Sequence, residues 1–236
     1  MKSLARRLAQ TLIAAMRQRP LKSPRNSSWN GALPEVAEAS ALVIACGALA
    51  KEIVELKRLN RWSHLESQCL PANLHNRPEN IPGAVRAELE KRRGESEQIF
   101  VAYADCGTGG ELDKVLAEFG IERLPGAHCY DFYAGVSELA VLAEQEPGTF
   151  YLTDFLTRHF DRLVKKGLGL DKHPELMATY FGNYRRLVYL SQSESKELHE
   201  LARQHAEYLG LEYVHHHTGL ANIERDFGEQ VIRWQN

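Results

Sequence analysis

The run Ala41-Leu-Val-Ile-Ala45 is apolar at every position. It leads through Cys46-Gly47 into a segment where Leu49, Ile53, Leu56 and Leu59 recur at helical spacing. An apolar run without alternation belongs to a strand covered on both faces, which is the condition of a parallel sheet. This strand-then-helix unit constrains the fold more than any other feature, because the chain goes on to repeat it. The same reading predicts strands over 64–70, 98–103, 121–124, 149–152, 186–190 and 211–214. Helices are predicted over 82–93, 111–119, 135–144, 154–166 and 193–209, the last with Ser193 as its N-cap and Gly210 as its stop. Strands separated by helical segments require crossovers, which make neighbouring strands parallel. The expected fold is therefore α/β: an open, mainly parallel sheet of at least five strands with helices on both faces, preceded by a basic N-terminal extension.

That extension is set apart by charge. Residues 1–34 hold Lys2, Arg6, Arg7, Arg17, Arg19, Lys22 and Arg25 and no acid, which leaves 22 basic and 31 acidic residues for the rest of the 236. Residues 1–38 read as a basic extension and linker, and 39–236 as the α/β domain, with room for two similar halves meeting near residue 148. An acidic body lacks the basic face that phosphate neutralisation needs, so no nucleic-acid partner is expected. No apolar run approaches the roughly 18 residues of a membrane span. Four cysteines without C-x-x-C spacing indicate neither a disulfide scaffold nor a zinc ribbon, and the expected compartment is the cytoplasm.

Ligands of open parallel sheets bind outside the carboxyl ends of the strands. Cys46, Cys69, Asp105 with Cys106, and His128 with Cys129 all fall at predicted strand ends, and His75 follows shortly after Cys69. Thiolates and imidazoles suit zinc, and a site assembled from separate loops needs no short spacing. Cys46, Cys106, His128 and Cys129 are the expected zinc ligands, with His75 as a further donor and iron as the less favoured metal. Cys46 and Cys106 each precede a glycine at a strand-to-helix turn, where a helix N-terminus favours the thiolate. Asp105 and His75 are the candidate acid–base residues. Gly107, Thr108 and Gly109 form a turn whose amides suit an anionic cofactor or substrate group, although the full dinucleotide and P-loop patterns are absent. Within His215–His217, period-two alternation separates the middle ring from the other two.

The segments Ala45-Cys46-Gly47-Ala48-Leu49, Leu70-Pro71 with Leu74-His75-Asn76 and Pro78, Tyr103-Ala104-Asp105-Cys106-Gly107, and Gly126-Ala127-His128-Cys129-Tyr130 resemble an uncharacterised family of bacterial and archaeal proteins, a domain of unknown function, over about residues 40–220. The resemblance implies a cytoplasmic protein whose genes often lie near those of corrinoid-dependent methyltransferases, and it implies no defined catalytic residue. Three readings of function follow. The first is a zinc enzyme acting on a small molecule in methyl transfer or one-carbon metabolism, in a corrinoid methyltransferase system. The second is a non-catalytic protein that holds a metal, a corrinoid or a small anion. The third is a metal-free thiol enzyme with Cys46 or Cys106 as nucleophile and His75 or His128 as base.

Overall fold

The computed structural model describes residues 41–94, 96 and 98–235, with the backbone path alone for 232–235. The basic extension expected over 1–38 lies outside the described residues. Strand β1 (Ala41–Cys46) is buried along its whole length, as its sequence requires, and it is the centre of a three-stranded parallel sheet. Strand β2 (Leu65–Leu70) pairs with it in the register Ala45↔Cys69, and β3 (Gln98–Ala102) in the register Ala45↔Ala102. A second parallel sheet follows in the order β4 (Thr149–Thr153), β5 (Arg186–Ser191), β6 (Glu212–His217).

The α/β class, the parallel pairing and the open sheets are as expected, but the single sheet of five or more strands is replaced by two sheets of three. The predicted strand over 121–124 explains part of the difference. It contributes one bridge, Val101 to Arg123, with Val101 accepting from Leu124 and donating to Glu122 (3.1 and 3.2 Å) before Pro125, which has no N–H to donate, interrupts the ladder. With no full strand there, the first sheet stops and β4 starts another.

Helices α1 (Ala50–Asn60), α2 (Ile81–Lys91) and α3 (Glu111–Phe119) are the crossovers of the first sheet. Helices α2 and α3 are joined by the bidentate pair of Arg86 with Glu118 (2.7 and 2.5 Å). After α3, the short α4 (Tyr130–Ala134) and then α5 (Val136–Gln145) lead to β4, and Leu139 of α5 packs on Val188 and Leu190 of the second sheet. The last described helix, α9 (Ala221–Gln235), returns to the first sheet. It places Ile223, Phe227 and Val231, spaced four apart, in the core around β1, with Phe227 edge-on to Phe100 at 6.1 Å. The two sheets thus exchange covering helices.

Two helices of the second half depart from their predicted form. The segment expected as one helix over 154–166 is α6 (Asp154–Arg158) followed by a π-helical turn, Asp161–Lys166. Such turns widen the backbone locally and occur often at functional sites. After the short α7 (Met177–Phe181), α8 (Lys196–Leu209) is capped by Ser195, whose Oγ accepts from the Leu198 amide at 3.3 Å, and it ends on left-handed Gly210 as expected. Ser193, the predicted cap, instead donates to Asp154 at 2.5 Å.

Candidate functional site

The carboxyl end of β1 and the start of α6 face a cavity of ≈ 280 Å3. Cys46, Cys129 and Tyr133 line it from the first half of the chain, and Thr153, Phe155 and Leu163 from the second. His75 and Asn76 border it from the 3-10 turn that follows β2. Asn76 Nδ2 donates to the Leu163 carbonyl at 2.9 Å, so this turn is tied to the π-helical turn across the cavity. No Lys, Arg, Asp or Glu is among the described residues lining the cavity. Its walls are aromatic and aliphatic apart from thiols, hydroxyls, one amide and one imidazole.

The sequence-predicted residues distribute around this cavity unevenly. Cys46 is buried at the end of β1, and burial outweighs the adjacent helix start, so its thiol is pushed up to about 11. That runs against the expectation of a Cys46 thiolate, since the thiol keeps its proton at pH 7. Cys69, half-buried on β2, is also raised by burial. Cys106 behaves oppositely. A hydrogen bond from Cys129 lowers its pKa against desolvation, backbone contacts add to the effect, and Cys129, which keeps the proton, is raised. Cys106 also carries φ +50°, a left-handed conformation that non-glycine residues seldom adopt outside functional or strained turns. His75 is open to solvent at the cavity border, but the surrounding protein and then the neighbouring His128 lower its pKa. The imidazole is therefore held in its neutral form at pH 7.

The loops bearing Cys106 and Cys129 are tied to each other by backbone. Asp105 N–H donates to the Gly126 carbonyl (3.1 Å) and Cys106 N–H to that of Ala127 (2.9 Å), continuing the parallel bridge beyond β3. Asp131 Oδ2 accepts from the Ala127 and His128 amides (3.0 and 3.1 Å) and fixes the start of α4. Gly126 is required at this point: at φ +111° an added Cβ would sit 2.6 Å from Asp131 Oδ2. Arg123 grips Asp113 with two nitrogens (2.5 and 3.0 Å) and also donates to the Leu124 and Gly126 carbonyls, clamping the turn to α3.

The glycine turn does hold an anion, and the anion is the chain's own. The Asp105 carboxylate accepts from the amides of Gly107 (3.2 Å), Gly109 (3.1 Å) and Gly110 (2.8 Å) and from Thr108 Oγ1 (2.8 Å). These donors, the Gly110 amide foremost, hold the carboxyl below its usual range. Replacing Asp105 by Asn is expected to cost about 1–3 kcal/mol, because an amide oxygen cannot serve all four donors. A group with a depressed folded pKa stabilises above its unfolded value of 3.8 and loses that contribution as pH falls through the lower folded value. The wild-type advantage over D105N in urea unfolding should therefore persist down to about pH 4 and shrink below it.

Among the described residues, no three His, Cys, Asp or Glu side chains are placed to hold one metal ion. Cys46, Cys106, His128 and Cys129 share a sheet edge without converging on a point. Sequence reasoning placed Tyr133 among aromatics at this edge but passed over Glu52. Glu52 is 4% exposed with Oε2 unpaired, and the Tyr133 hydroxyl is buried without a partner. Burial is the main cause of the upward shift in both, and Glu52 adds to the shift at Tyr133. The signal for Glu52 was present, since it shares the α1 stripe of Leu49, Ile53 and Leu56. A raised carboxyl destabilises the fold increasingly as pH rises above the unfolded value of 4.5 toward the folded one. Glu52→Gln should accordingly be more stable than wild type at pH 8, by about 1 kcal/mol or more, with the gap closing toward pH 4 in thermal or urea unfolding.

On the second sheet, Ser191 Oγ bridges His215 Nε2 (2.8 Å) and His217 Nδ1 (2.9 Å), while His216 turns away to Glu138 (3.3 Å), as alternation requires. Asp154 is buried and accepts from the Tyr189 hydroxyl, the Gln192 amide and Ser193, so it serves as a structural anchor between β4 and β5.

Residues 69–226 match the family model described as "Protein of unknown function (DUF1638)". The matched segment contains His75, Asp105, Cys106, His128 and Cys129, whereas Cys46 and Glu52 precede it. No curated protein and no solved structure matches the chain.

Proposed function

The chain belongs to the DUF1638 family of unknown function, and we propose that it is a thiol enzyme acting on a small, uncharged and largely apolar molecule held in the cavity. The observation that carries this reading is the cavity itself, which opens at the carboxyl ends of parallel strands, has thiols in its wall and has no ionised side chain in its lining. Phosphorylated or carboxylate ligands would lose hydration there and gain no cation in exchange. At ≈ 280 Å3 the space lies near the small end of ligand sites, which run from about 300 Å3 upward, and it does not take a corrin macrocycle.

Cys106 is the nucleophile in this reading. Its thiol is lowered by the neighbouring Cys129, which lines the cavity, and neutral His75 stands at the border to accept a proton. A thiolate that accepts an alkyl group from a bound donor suits the methyl-transfer setting that the family resemblance implies, with a corrinoid protein as a separate partner. One observation supports a zinc reading as the second. Cys106 raises the titration of both Cys46 and Cys129, so a metal at this edge would draw on neighbouring thiol donors.

The test is a binding screen by ligand-observed NMR on the full chain, with matched neutral and anionic fragments and with zinc titrated in parallel. Neutral fragments that bind wild type and are lost when Ala48 is replaced by Phe support the cavity reading. A preference for anionic fragments would contradict it. Stoichiometric zinc binding that Cys106→Ser abolishes would transfer the site to the metal reading.

A further inference from the structure

The apolar cavity has a charged neighbour. A groove of ≈ 530 Å3 lies against it, walled by Arg77 from the segment after β2 and by Arg162 and Lys166 from the π-helical turn. Asn76 and Leu163 are walls of both spaces, so the groove abuts the cavity across the bond from Asn76 Nδ2 to the Leu163 carbonyl (2.9 Å). No Asp or Glu is among the described residues lining it. Arg162 and Lys166 stand four residues apart on one turn, and neither makes an ion pair among the described residues. Asp161, the acid of that turn, is taken by Lys165 at 2.8 Å. Arg77 meets Glu79 at 3.9 Å with both side chains largely exposed, a pair worth little in water. Outside residues 1–34 the chain holds 31 acidic and 22 basic residues, so three cations gathered without an acid run against its composition. Their spacing is also preset. Gly167 lies in the groove wall, and an added Cβ there would meet the Leu163 carbonyl and stand 2.5 Å from Asn76 Nδ2, so the two segments approach too closely for a side chain between them.

We propose that this groove binds the phosphate or diphosphate group of a small molecule. Two guanidinium groups and one ammonium face a common space, and arginine engages phosphate oxygens through two parallel N–H bonds while lysine adds a point charge. Three cations sharing one groove repel each other, and an anion placed among them relieves that repulsion. The cations are confined to a groove and form no extended basic track of the kind a nucleic-acid backbone needs, so the fitting ligand is small. Arg77, Arg162 and Lys166 are all exposed, so a bound phosphate keeps part of its hydration and its affinity falls with added salt. The π-helical turn that carries two of the three cations is a backbone form found often at functional sites. The inference goes beyond the cavity reading and does not depend on it. The cavity receives uncharged groups because it has no cation, and the groove receives the charge that the cavity excludes.

The experiment titrates the full chain with inorganic diphosphate by isothermal titration calorimetry at neutral pH and low ionic strength. One diphosphate per chain is expected, with affinity falling as sodium chloride is added. The double variant Arg162→Gln, Lys166→Gln should weaken binding by about tenfold or more. Lys91→Gln, which removes an exposed cation of α2 outside the groove, should change it by less than about twofold. All three substituted side chains are exposed, and far-ultraviolet circular dichroism checks that the variants fold. Ala48 lines the cavity and not the groove, so Ala48→Phe should leave diphosphate binding intact while it abolishes the binding of neutral fragments. An anionic fragment that diphosphate displaces from the Ala48→Phe protein belongs to the groove, which keeps this outcome separate from that of the cavity screen. No saturable binding, an unchanged affinity in the double variant, an equal loss in Lys91→Gln, or a loss in Ala48→Phe would each overturn the proposal.

Discussion

Replacing Phe227 by Ala should destabilise the protein by about 3–5 kcal/mol in urea unfolding, the range for deleting a buried phenylalanine that its surroundings cannot refill. Phe227 is 1% exposed and meets Phe100 of β3 edge-on at 6.1 Å, with Ile223 and Val231 of the same helix in the same core. The size of the effect bears on the architecture as well as on packing. Helix α9 follows the second sheet in sequence yet covers the first, so truncating Phe227 weakens a contact that binds the halves of residues 41–235 together. Leu139→Ala on α5 makes the reciprocal contact with Val188 and Leu190 and should cost about 2–5 kcal/mol. A cost below about 1 kcal/mol at Phe227 would mean that α9 is not part of the core.

The second large effect is expected at Cys106, where stability and chemistry separate. At φ +50° a side chain costs about 1–2 kcal/mol relative to glycine, and a β-branched one costs more. Cys106→Gly should therefore leave stability close to wild type, while Cys106→Val should lie at least about 2 kcal/mol below it. Both substitutions remove the sulfur, and both should reduce thiolate reactivity of the protein toward neutral alkylating reagents by about a hundredfold or more at pH 7. Paired unfolding and alkylation measurements on the two variants separate these effects. Equal stability of the glycine and valine variants would contradict the left-handed geometry.

Much of this fold can be read locally. The β1 and β5 runs are buried on both faces and carry no alternation, the pattern of central parallel strands, and Gly120 and Gly210 stop helices at the positions their sequence suggests. What local pattern cannot supply is partnership. Residues 121–124 have strand-like composition, but a strand's membership depends on a neighbour far along the chain and on Pro125, and here it amounts to one bridge. The same holds for the division into two sheets. Helix α9 could have been found from Ile223, Phe227 and Val231, but its sheet could not.

The site divides in the same way. The convergence of cysteines on one edge follows from the crossover rule and strand ends, whereas the distinct states of Cys46 and Cys106 follow from burial and from the Asp105–Gly126 and Cys106–Ala127 backbone bonds. Asp105 illustrates the difficulty most clearly. A glycine turn after a strand reads as a cradle for an external anion, yet a carboxylate two residues before its first glycine amide fills it from within. Glu52 is the opposite case, a charged residue on an apolar helical stripe whose burial was visible in the spacing.

The central claim is that Cys106 is the reactive thiolate beside a cavity whose own Cys46 stays protonated. It is tested most directly by the pH dependence of alkylation at each cysteine, with neutral iodoacetamide as the reagent and quantitative peptide mass spectrometry as the readout. The account predicts that Cys106 reacts first, with a midpoint below the ordinary thiol value of 9.0, and that Cys46 gains reactivity only as pH approaches about 11. Preferential labelling of Cys46 at neutral pH, or a Cys106 midpoint above 9.0, would contradict it.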